Sequence, residues 1–174
     1  RVTGRPPASP ALASWAAGRR ARRRATLPAM SYRVLPADRA FWRRSNMMGV
    51  ENTDLASQLA STALGARLWR VRPGQASTWH RHVAQEELYV VLEGTGRIRV
   101  ADDVLTLPPL SALLVEPRTL RQIFNDTEAD ALWLVVGAPP ELANTREMTP
   151  EQLADLYPHG PRALPPELGG GTLA

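Results

Sequence analysis

The chain has 174 residues, 44% hydrophobic and 22% charged, a composition that suits one globular domain large enough to bury a core. It contains no cysteine, so disulfides, thiolate metal sites and cysteine nucleophiles are excluded, and any metal must rest on histidine and carboxylate. The formal charge of +4 is local: seven arginines and no acid lie in residues 1–29, which leaves fourteen basic against seventeen acidic residues, or −3, in the remainder.

Residues 1–29, rich in Arg, Ala, Ser and Pro, show no hydrophobic periodicity and are expected to be disordered. The favoured explanation is an over-extended reading frame whose own start is Met30, with a transit peptide or a nucleic-acid-binding arm as alternatives. A twin-arginine export signal fails, because "ATLPAMSYRVLP" after the arginines is no apolar segment. These arginines are the only feature pointing to nucleic acid, which is therefore not the expected partner. No apolar run approaches the roughly 18 residues that span a bilayer, so no membrane partner is expected and the location is read as cytoplasmic.

Residues 30–63 read as a lead-in with one short helix. Asp54 is its N-cap, Leu55, Leu59 and Leu64 are its apolar positions, and Gly65 lies near its end. Next come seven short strand-like runs: "ARLWRVR", "EELYVVLEG", "GRIRV", "DVLTL", "SALLVE", "RQIFN" and "ALWLVVG". Turn signals such as "RPGQ", "EGTG", "LPPL" and "NDTEAD" separate them, which indicates an all-β antiparallel sandwich or barrel rather than a βαβ fold. Trp69, Trp79, Tyr89, Phe124 and Trp133 lie in or beside these runs and are read as core or pocket-lining residues. Residues 138–174 read as a short helix and a Pro/Gly-rich tail. Thr149 is the helix N-cap, Pro150 takes the first helical position and Gln152 completes a capping box. The tail is expected to be extended or disordered, with His159 outside any site.

The chemistry concentrates in residues 79–94, "WHRHVAQEELYVVLEG". On a strand His80 and His82 project to one face, and a hairpin-like return could bring the Glu87 carboxylate to the same pocket. Two neutral imidazoles and a carboxylate suit zinc, iron, nickel or manganese and leave positions open on the ion. Glu86, of opposite parity to Glu87, is expected to face outward, and a one-residue register slip would exchange the two.

Residues 74–94 resemble the first signature of the cupin family, with Gly74, His80, His82, Glu87 and Gly94 on its defined positions. The resemblance covers residues 64–137. It implies a double-stranded β-helix, the jelly-roll barrel of that family, with short flanking helices. It also implies a divalent transition metal on His80, His82 and Glu87, a small-molecule ligand, and a homodimer paired through a sheet edge or swapped N-terminal strands. If the protein is an enzyme, the resemblance implies a metal-dependent oxygenase or isomerase; the sequence identifies no acid or base for either.

The second cupin signature is degenerate here. In "SALLVEPRTLRQIFN", residues 111–125, Pro117 and Asn125 fit, Ser111 and Thr119 replace glycines, and the histidine that supplies the fourth ligand is missing. Counting forward from Pro117 puts Gln122 in its place; counting back from Asn125 puts Arg121 there. Two readings stay open. In one, His80, His82 and Glu87 hold the metal, with the Gln122 carbonyl as a weak fourth ligand. In the other, the barrel is metal-free and Arg121 grips an anionic ligand through its planar fork.

Overall fold

A computed structural model of the protein describes residues 31–141 and 147–174. The expectations for residues 1–29, and for a start at Met30, fall outside the described residues. The seven strand-like runs become β3 (Gly65–Val71), β4 (Glu86–Glu93), β5 (Gly96–Val100), β6 (Asp103–Leu107), β7 (Ala112–Val115), β8 (Arg121–Phe124) and β9 (Ala131–Ala138). Two further strands precede them, β1 (Arg43–Arg44) and β2 (Glu51–Asp54). Their residues are mostly polar and poor in β propensity; β2 is carried by pairing with β3 and β1 by pairing with β2, and buried Asn52 donates to the carbonyls of Arg43 and Val50.

The strands form a six-stranded sheet in the order β1-β2-β3-β9-β4-β7 and a three-stranded sheet in the order β6-β5-β8, with antiparallel pairing throughout. The core lies between them and includes Tyr89, Val91, Ile98, Val115, Phe124 and Trp133. Alternation settles the parity of β4: Glu87, Tyr89 and Val91 are buried, whereas Glu86 and Leu88 are exposed. The acid nearest the histidines in sequence therefore faces water, and its neighbour faces inward.

Two details of the motif are structural. Gly94 has φ 72°, and a Cβ added there would lie 2.2 Å from the Asp130 carbonyl oxygen, so only glycine lets the β4–β5 turn pass that backbone. Buried Asn125 ties its turn together: its amide donates to the carbonyls of Val71 and Ala129 while its oxygen accepts from the Thr127 backbone and hydroxyl.

The first helix is shorter than its apolar spacing suggests. The Asp54 carboxylate caps it by accepting from Ser57 N–H at 2.9 Å, but α1 spans only Leu55–Gln58. Ala60 turns into the left-handed region at φ 51°, which ends the helix, and Gly65 opens β3 instead of closing a longer helix. The second helix, α2 (Pro150–Leu156), has the anticipated Thr149–Gln152 capping box. The tail beyond it, expected to be extended or disordered, instead folds into turns and a 3-10 helix (Pro166–Leu168) closed by a bridge between Ala163 and Thr172, and it is held against the barrel. Glu167 pairs with Arg99, the Ala163 carbonyl accepts from Gln122 at 2.9 Å, and Leu164 and Leu168 pack against the core.

Candidate metal centre

His80 and His82 lie on the segment joining β3 to β4, less regular than the expected strand. His80 is anchored to β8 by a two-way backbone bridge with Arg121 (3.1 and 2.8 Å), and the His82 carbonyl accepts from Arg118 N–H at 2.8 Å. The period-two argument still holds, because the two imidazoles turn to the same side, with ring centroids 5.0 Å apart at 87°. Glu87, the first inward residue of β4, meets them there. Ligating atoms of His80, His82 and Glu87 all lie within 4.8 Å of one another.

The atoms that do not face this point are mostly occupied. His80 Nδ1 lies 2.9 Å from the Thr78 carbonyl oxygen, which fixes the ring with Nε2 as its free nitrogen. The Tyr89 hydroxyl donates to Glu87 Oε2 at 2.5 Å, and Arg121 Nε lies 3.3 Å from the same oxygen. The other carboxylate oxygen, Oε1, lies 3.2 Å from His82 Nε2, close enough for the imidazole to stabilise the carboxylate but without the alignment of a good hydrogen bond.

Electrostatics favour the ligating forms. Burial lowers the His80 pKa to about 4; the Glu87 charge opposes the shift, while His82 and Arg121 add to it. Burial alone would raise Glu87, but His82, His80 and Arg121 together bring it down to about 2. At neutral pH His80 is therefore neutral and Glu87 ionised. Tyr89 is pushed well above its ordinary value, first by burial and then by the Glu87 charge, and so stays a donor.

The degenerate edge resolves into two opposite placements. Arg121 is fully buried and directed at Glu87, with Nη1 donating to the Thr119 carbonyl at 2.8 Å and Nη2 unpartnered. Gln122, next along β8, does not line the cavity in front of the triad; its amide nitrogen donates to the carbonyls of Ser77 and Ala163. Its amide nitrogen is thus engaged beside the C-terminal tail, while its carbonyl oxygen, the atom expected as a weak fourth ligand, is buried without a hydrogen-bond partner. His159 stacks on Trp79 with centroids 4.4 Å apart, away from the triad cavity.

That cavity has a volume of about 670 Å³ and includes Met47, Trp69, Ile123, Leu156 and Tyr157 in its walls. Two residues near the site carried no signal in the sequence. Tyr157, at the end of α2, puts its ring 6.3 Å from that of His80, and burial raises its pKa. Glu141 accepts from the backbone N–H groups of Val83, Ala84 and Gln85. Both lie more than fifty residues from the histidines, and no spacing rule links them.

A two-sheet antiparallel barrel with a His-x-His and an inward glutamate at one end defines the class of double-stranded β-helix proteins. Residues 67–137 match the cupin domain family, and this part of the chain is a cupin domain. Similar solved structures include a sugar phosphate isomerase of the cupin superfamily from Silicibacter pomeroyi, at 25% identity and TM-score 0.56, with 62% of this chain and 76% of that one covered. A Cupin 2 conserved barrel domain protein from Salinispora arenicola has 19% identity and TM-score 0.53, over 62% and 89% of the two chains. A predicted oxalate decarboxylase from Thermotoga maritima has 20% identity and TM-score 0.54, over 60% and 97%. No curated protein matches the sequence.

Proposed function

We propose that this cupin domain binds a divalent transition metal, iron, manganese, nickel or zinc, through His80, His82 and Glu87, and presents it to a small molecule in the adjoining cavity. One observation carries the reading: His82 Nε2 is buried without a hydrogen-bond partner while Glu87 Oε1 stands 3.2 Å away. A buried imidazole nitrogen and a carboxylate oxygen this close call for a proton or a cation between them, and a metal ion shared with His80 Nε2 supplies the second. With Thr78 and Tyr89 holding the outward atoms of His80 and Glu87, the donors are oriented for one. Three protein ligands leave positions for water and a substrate, as an oxygenase or isomerase of the cupin type requires. Metal analysis of protein purified without a histidine tag tests this. Close to one equivalent is expected, and less than about a tenth would sink the reading.

A second reading rests on Arg121, whose Nε and Nη2 are buried without hydrogen-bond partners. In a metal-free barrel this guanidinium would hold an anionic ligand through its fork after parting from Glu87. Binding of small carboxylates by metal-stripped protein, abolished by Arg121→Ala, is its expected signature; unchanged binding in that variant excludes it.

A homodimer is supported by the outer face of the six-stranded sheet, where Leu88 (38% exposed) is paired in register with Leu114 (53% exposed) and with Val136. Sedimentation should show dimers that Leu88→Glu with Leu114→Glu converts to monomers. Among the described residues no helix is long and apolar enough to cross a membrane.

A further inference from the structure

Glu141 follows β9, beyond the matched cupin domain, yet it reaches back to the segment between the two histidines and Glu87. Its Oε2 lies 3.0, 3.0 and 3.1 Å from the amide nitrogens of Val83, Ala84 and Gln85, and its Oε1 lies 2.9 Å from that of Val83. One carboxylate therefore collects three successive backbone donors, an anion nest built by the turn itself. Every one of these hydrogen bonds is accepted by the carboxylate and none is donated, which is the pattern of its ionised form.

The same carboxylate has a second neighbour. Glu141 Oε1 lies 3.7 Å from His82 Nδ1, too long for a good hydrogen bond but close enough for its charge to act. It stands on the opposite ring nitrogen from the one facing Glu87. A negative charge there favours the proton on Nδ1 and leaves the Nε2 lone pair pointing into the cluster. Gln85 reinforces the anchor: its amide donates to the Pro139 carbonyl at 2.9 Å, and a Cβ on Gly137 would meet its side chain at 2.5 Å. The β9 exit and the ligand turn are thus fastened at two points.

We propose that Glu141 is a positioning residue for the metal centre, clamping the Val83–Gln85 turn and selecting Nε2 as the ligating nitrogen of His82. This rests on the metal reading above, and it assigns a role to a residue outside the cupin signature.

The test uses the full chain and Cu²⁺ as the probe ion, since copper binds such donor sets tightly and reports on imidazole by pulsed electron paramagnetic resonance. The wild type should bind copper with two imidazoles whose remote nitrogens differ, one at the Thr78 carbonyl and one at the Glu141 carboxylate. Glu141→Gln, which keeps one acceptor oxygen for the turn, should weaken binding about 10- to 100-fold and change only one remote-nitrogen coupling. Glu141→Ala should lose at least as much affinity, and its turn amides should exchange faster with solvent. Copper affinity in both variants equal to the wild type's, or two unaltered remote-nitrogen signals, would overturn the proposal while leaving the metal reading intact. A wild-type protein that binds no copper at this centre would overturn both.

Discussion

The two edges that meet at the triad, an irregular segment and a strand, carry opposite chemistry. On one, residues 80–87 deliver two imidazoles and a carboxylate within 4.8 Å, with Thr78 and Tyr89 holding outward atoms. On the other, β8 hydrogen-bonds to the His80 backbone in both directions and delivers a fully buried arginine whose Nε lies 3.3 Å from Glu87 Oε2. Glu87 balances Arg121 within the protein, so a dication added here meets less net negative charge than the ligand set alone suggests.

The largest effect should come from cutting the link between the edges. Glu87→Ala removes a ligand and strands the Arg121 guanidinium, fully buried, without its partner. Metal binding should be lost, and urea unfolding should show a destabilisation of about 3–5 kcal/mol. Glu87→Gln combined with Arg121→Met removes both charges and should recover much of that stability without recovering the metal. Equal destabilisation in the single and double variants would mean that the pair is not coupled.

Acid should separate the edges next, because the histidine edge titrates. His80 is held at about 4 in the folded protein against 6.5 in the unfolded chain, chiefly by burial. Above pH 6.5 both states are neutral there and the group contributes no pH dependence. Between 6.5 and 4 the unfolded chain binds a proton that the folded protein refuses, so the metal-free protein loses stability as pH falls. The His80 ring is partly open to the cavity, so the realised loss should be on the order of 2 kcal/mol, below the full value for that shift. Glu87 extends the loss below pH 4.5 toward 2, since its folded pKa is lowered and the unfolded chain again takes the proton first. Denaturation midpoints of His80→Gln should be flatter than wild type between pH 7 and 4.

Restoring a donor to the second edge should give a smaller, opposite change. Arg121→His exchanges a repelling cation for an imidazole on a strand already bridged to His80. Metal affinity by calorimetry should rise about tenfold, or ~1.4 kcal/mol. An unchanged or weaker affinity would show that the arginine, through its hold on Glu87, helps to shape the site.

How much of this could be read from sequence differs between the edges for a physical reason. The His80–His82–Glu87 edge obeys local rules: period-two parity puts Glu86 and Glu87 on opposite faces, and the motif positions point to Glu87 as the inward one. The Arg121–Gln122 edge turned on the length of a turn in which Arg118 adopts φ 67°, a conformation that residue types alone do not announce. Glu141 and Tyr157 approach the site only through tertiary folding. β1 and β2 form by pairing against the preference of their own residues, and α1 stops at a backbone reversal that its apolar spacing does not reveal.

The smallest effect should come from a region that touches neither edge directly. The α2 capping box has Thr149 Oγ1 accepting from Gln152 N–H at 3.3 Å, while the Gln152 side chain accepts from Thr149 N–H at 2.9 Å. Thr149→Ala should cost about 1 kcal/mol of stability by leaving a helix N–H without its acceptor. The helix is also fastened at its far end, where Arg81 bonds the Asp155 carbonyl and carboxylate at 2.7 and 2.5 Å. Tyr157 should therefore stay beside His80 when the cap is lost. Metal affinity of Thr149→Ala should match the wild type's, because no ligand or outward-holding contact depends on the cap. A parallel loss of stability and metal affinity in this variant would show that the C-terminal helix helps to hold the histidine edge in place, and the centre would then extend beyond the barrel.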